Sequence, residues 1–137
     1  KTFYQDRVKA KGIEKQVAFI DWMDRQDLMA LLQDASAFVF PSHEGAGMIV
    51  AEALSFGVPV ICLDNCGPGA FIDKDCGIGV PEQDYDGTVK ALSNGISTLY
   101  HDAGLWSSMS EGARRRFETH FDWSRRGEAL QNIYQAI

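Results

Sequence analysis

Phe40-Pro41-Ser42-His43-Glu44-Gly45-Ala46-Gly47-Met48-Ile49-Val50-Ala51-Glu52-Ala53 is the stretch from which the fold can be read. The apolar run Ala37 to Phe40 stops at a proline, and a short loop holding Gly45 and Gly47 follows. From about Gly47 to Phe56 the apolar spacing predicts a helix, which Gly57 closes. Val58-Pro59-Val60-Ile61-Cys62-Leu63 comes next, a continuous apolar run that reads as a strand, with Pro59 near its start, where a missing donor is tolerated. Strands apolar on both faces, separated by a helix, point to a parallel sheet covered on two sides.

Reading outward, the alternation continues. Lys1 to Lys11 reads as the end of a polar helix closed by Gly12, and Gln16 to Ile20 as a short strand. Asp24 predicts an N-cap for a helix through Asp34, with Leu28, Leu31 and Leu32 on its apolar face. Beyond the loop from Asp64 to Gly69 lie a weak strand at Ile78 to Pro81 and three helices: about Tyr85 to Tyr100, Asp102 to Thr119, and Trp123 to the end. The predicted class is α/β, a doubly wound, Rossmann-like parallel sheet. Ligands of such sheets sit at the carboxyl ends of the strands, where Glu44 and Asp64 fall.

Composition narrows the function. The 137 residues fit one domain, and 45% hydrophobic with 23% charged residues is ordinary for a globular protein. A net charge of −6 disfavours nucleic acid as a partner, because phosphate contacts need a basic face. It equally disfavours a polybasic membrane tether in this part. No apolar run approaches the roughly 20 residues of a spanning helix. Cys62, Cys66 and Cys76 lack metal-ligand spacing. A Cys66–Cys76 disulfide is disfavoured, since the chain type suggests a reducing cytoplasm.

The chemistry concentrates in the opening stretch. Glycines leave backbone N–H groups bare, and the first turn of a helix aims its own unpaired N–H groups the same way, so an anion can rest there without a basic side chain. Glu44 and Glu52 flank that point. With roughly 1.5 Å rise per residue, Glu52 lies about one and a half turns inside the helix, apart from Glu44. Such a separation fits poorly with a proton-sharing carboxylate dyad. A retaining glycosidase pair stands about 5–5.5 Å apart, but nothing here would raise one pKa. Two acids gripping hydroxyls on either side of an anion suit a sugar nucleotide, which presents hydroxyls, a diphosphate and a ribose in that order. The blander reading, a capping Glu44 and a water-facing Glu52, holds for either acid taken singly.

Pro41-Ser42, Glu44-Gly45-x-Gly47, Glu52-Ala53, Gly57-x-Pro59-Val60 and Gly67-Pro68 together resemble the donor-site signature of retaining, nucleotide-sugar-dependent glycosyltransferases of the GT-B fold. Val17-x-Phe19 is similar to the strand before the base-binding loop of that family, and Phe121-x-Trp123 to the segment before its last helix. The resemblance implies that residues 1–137 are a C-terminal donor-binding domain without its first strands and without the acceptor domain. Those strands would lie between Val17 and Phe40 in the sheet. It implies retaining transfer of a hexose from a nucleoside diphosphate sugar to a glycan or lipid-linked acceptor hydroxyl, with no metal cofactor. By the same resemblance Glu44 meets the sugar as the catalytic residue, Glu52 holds the ribose, the backbone of Gly45, Ala46, Gly47, Met48 and Ile49 lines sugar and diphosphate, and Met23 meets the base.

The match has departures. Ala46 replaces a bulkier aromatic, Asp21 a glycine, and Ala70 a glutamate. The phosphate-binding Arg and Lys of the family fall before Lys1. The expectation is therefore donor binding without transferase activity for this chain alone, in a cytoplasmic setting with membrane contact only through the remainder. A catalytically silent sugar-nucleotide-binding module or partner subunit is the alternative, and a phosphoryl-signalling receiver lacks its acidic cluster. Outside the signature, His43 reads as a loop residue shaping the rim, Trp22 as packing, and Arg114-Arg115-Arg116 as a solvated helix face.

Overall fold

The computed structural model describes residues 2–65 and 67–136. Three parallel strands, β1 (Phe38–Phe40), β2 (Val60–Leu63) and β3 (Gly77–Val80), lie in the order β1-β2-β3. Phe38 stands opposite Val60 and Phe40 opposite Cys62, while Val60 faces Gly77 and Leu63 faces Val80 across the second pair. The helices are α1 (Thr2–Ala10), α2 (Arg25–Gln33), α3 (Met48–Ser55), α4 (Tyr85–His101), α5 (Ala103–His120) and α6 (Trp123–Gln135).

All four residues of β2 are buried, as the unbroken apolar run predicts. Alternation divides them between two cores. Val60 and Cys62 join Val50, Ala53 and Leu54 of α3 and Ala113 of α5 on one face. Ile61 joins Leu92 and Leu99 of α4 and Met109 of α5 on the other. Helix α5 spans both layers, so the sheet is doubly wound. The buried thiols of Cys62 and Cys76 are pushed up to about 11, chiefly by desolvation, which makes them poor nucleophiles near neutral pH. Cys76 is a free thiol, and Cys66, the partner in the disfavoured disulfide, lies outside the described residues.

One predicted element is corrected. Gln16 to Ile20 is not a strand: Glu14–Gln16 forms a 3-10 turn, and the residues after it join no sheet. Val17 has extended dihedrals (φ −127°, ψ 119°), so the local preference is expressed. A strand, however, needs a partner to receive its backbone groups, and the sheet among the described residues ends at β1. Val17, Phe19 and Ile20 consequently stay exposed. The stretch assigned to a loop from Asp64 to Gly69 also runs into a 3-10 turn, Pro68–Phe71, with Pro68 at its first position.

Boundaries elsewhere shift by one or two residues. Gly57 closes α3 with φ +73°, a backbone region that glycine enters without a Cβ penalty. Its carbonyl accepts the Ser110 hydroxyl at 2.7 Å, which ties the end of α3 to α5.

Candidate functional site

Helix α3 begins differently from its neighbours. Asp24, Asp84, Asp102 and Asp122 cap α2, α4, α5 and α6, each accepting a backbone N–H from the first turn. Helix α3 starts from Gly47, which offers no side-chain cap, and its first turn holds no acid. The Val50 amide donates to the Gly47 carbonyl at 2.8 Å, the amides ahead of it have no acceptor one turn back, and the helix dipole adds partial positive charge at the same point. No side chain of α3 or of its N-cap residue therefore caps this end. Around it Glu44, Gly45, Ala46 and Met48 are all exposed. Gly47 itself is buried, and a Cβ there would meet the Cα of Pro68 at 3.2 Å.

The loop before α3 is braced from two sides. Ser42 donates its hydroxyl to Glu44 Oε1 at 3.0 Å, and Asn65 Nδ2 donates to the carbonyl of Ser42 at 3.2 Å. Asn65 Oδ1 in turn accepts the Gly67 amide at 3.3 Å. A Cβ on Gly67 would lie 1.6 Å from the carbonyl oxygen of Glu44, so only glycine allows this approach. On the opposite side His43 Nε2 lies 2.6 Å from Glu82 Oε1, just past β3. His43 is thus an exposed loop residue, as read from sequence, that pairs with Glu82 at the surface.

Glu52 projects from the second turn of α3 and is half-buried, with 22% of its side chain exposed. Its Oε1 accepts from Arg25 Nη2 at 2.6 Å. Both residues line a cavity of about 520 Å³ whose apolar wall includes Met48, Phe117 and Phe121. Of the remaining sequence-predicted residues, Ile49 turns its side chain towards the core, which leaves its backbone for the site. Met23 is half-buried in the irregular segment before α2, and Trp22 is exposed rather than packed.

Some features escaped the sequence. Arg116 belongs to the run read as a solvated face, yet only Arg114 and Arg115 are exposed. Arg116 donates from Nε to the Phe71 carbonyl at 3.2 Å and pairs with Asp73 at 3.6 Å, holding the 3-10 turn behind Gly67. Arg25 carried no signal beyond its place next to the Asp24 cap. Its partner is 27 positions away.

Comparison with known proteins bears on the family and the fold. Residues 1–116 match the family described as glycosyl transferases group 1. A glycogen synthase of Mycobacterium tuberculosis is 28% identical over 133 residues, covering 96% of this chain and 31% of that protein. A D-inositol 3-phosphate glycosyltransferase of Salinispora arenicola is 31% identical over 124 residues, covering 90% and 27% respectively. In structure, the sucrose-phosphate synthase of Thermosynechococcus elongatus aligns with a TM-score of 0.74 at 25% identity, over 98% of this chain and 34% of that one. The chain thus spans about a third of the length of the relatives it matches. Among the described residues no helix is long and apolar enough to cross a membrane.

Proposed function

The chain belongs to the group 1 glycosyl transferases, with the Rossmann-like fold of GT-B enzymes, and from that membership we propose that it holds a nucleoside diphosphate sugar for retaining transfer of a hexose. The observation that carries this reading is the open N-terminus of α3, flanked by Glu44 in the loop and Glu52 in the second turn. In the proposed pose the diphosphate lies over the amides that open α3. Glu44 accepts from sugar hydroxyls, Glu52 accepts from the ribose, and the backbone of Gly45 to Ile49 lines the sugar and diphosphate. The base reaches the segment around Met23.

Breaking the sugar–phosphate bond leaves negative charge on the diphosphate. Fixed N–H dipoles aimed at that charge stabilise it without reorganising, which supports transfer without a metal cofactor. The acceptor hydroxyl belongs to a glycan or a lipid-linked sugar, in a cytoplasmic reaction. Isolated residues 1–137 retain donor binding but turn nothing over.

Titration calorimetry of the full-length protein with UDP, GDP and ADP tests the reading. One nucleotide is expected to bind tightest, and Glu52→Ala to weaken it by about 1.5–3 kcal/mol, the scale of hydrogen bonds to a charged group. Unchanged affinity in that variant would remove Glu52 from the ribose.

A further inference from the structure

Arg25 opens α2, where a cation faces the positive end of the helix dipole and gains the helix nothing. Its guanidinium reaches across to α3 and meets Glu52 Oε1 at 2.6 Å, a short charge-assisted bond. With 73% of the Arg25 side chain exposed, screening leaves the pair little weight in fold stability. Neither the helix nor the fold therefore explains the contact, whereas its position does: both residues face the same cavity. The bond links one guanidinium nitrogen to one carboxylate oxygen. An ionised carboxylate has about four lone-pair sites on two oxygens. With Oε1 engaged by Arg25, the lone pairs of the other oxygen are left for the hydroxyls of a ligand.

We propose that Arg25 is a positioning residue for nucleotide recognition, pinning the Glu52 carboxylate so that it selects a ribose bearing free 2′ and 3′ hydroxyls. This rests on the ribose role given to Glu52 above. The opposite possibility is that Arg25 occupies Glu52 in competition with the ribose, in which case removing it would tighten binding.

The test uses the full-length protein and the tightest of UDP, GDP and ADP beside its 2′,3′-dideoxy analogue. Arg25→Gln is expected to weaken the ribonucleotide about tenfold, equivalent to about 1.4 kcal/mol, and to leave the dideoxy compound unchanged. Arg25→Lys should recover part of the loss, and Arg25→Gln should add nothing on top of Glu52→Ala. An Arg25→Gln variant that binds the ribonucleotide as well as or better than the parent overturns the proposal, and so does equal weakening of both compounds. If Glu52→Ala weakens the ribonucleotide while Arg25→Gln does not, only the Arg25 role fails. If Glu52→Ala changes nothing, the ribose assignment fails and the Arg25 role with it.

Discussion

Gly67→Ala is expected to lower transfer by the full-length protein on the order of 100-fold, the scale for displacing a positioning group by about 1 Å. The new methyl would lie 1.6 Å from the Glu44 carbonyl oxygen and 2.8 Å from its carbon. Both obstacles are backbone, so no rotamer relieves them, and the Glu44 loop must retreat by more than an ångström. That retreat would also break the chain of bonds from Gly67 through Asn65 to Ser42. Steady-state transfer assays read the effect. A Gly67→Ala enzyme with parental turnover would show that the two loops are not locked together.

Gly112→Ala is expected to destabilise the fold by about 1–3 kcal/mol, the usual cost of overpacking a filled interior. Gly112 is buried in α5, where an added Cβ would fall 1.8 Å from the carbonyl oxygen of Asp75. Helix α5 closes both hydrophobic cores, so pushing it from the loop before β3 loosens each. Better helix propensity returns at most about 1 kcal/mol. Gly127 isolates that propensity gain, because it lies in α6 with nothing within 4 Å of a Cβ. Gly127→Ala should stabilise slightly where Gly112→Ala destabilises. Urea unfolding of both variants checks the opposite signs, and two shifts of the same sign would contradict the packing described for α5.

These two glycines also mark what a linear reading misses. The strand-loop-helix around Glu44 was legible because each signal is local: an apolar run, glycines in a loop, then an apolar helical period. The class of the sheet followed from β2, whose four apolar residues cannot leave either face to water. The strand at Gln16 to Ile20 was misread because pattern reports preference, whereas a strand also needs a neighbour. Val17 keeps extended dihedrals yet joins no sheet among the described residues, the preference without the ladder. Arg116 looked like its exposed neighbours, and its carbonyl partner at Phe71 lies 45 positions away. Arg25 and Glu52 met for the same kind of reason, through the packing of α2 on α3 rather than through spacing.

The central claim concerns the start of α3, and a crystal structure of the full-length protein with its tightest nucleoside diphosphate tests it most directly. The account predicts diphosphate oxygens accepting from the amides that open α3 after Gly47, with ribose hydroxyls donating to Glu52. A diphosphate bound away from those amides, or a ribose with no contact to Glu52, would contradict it.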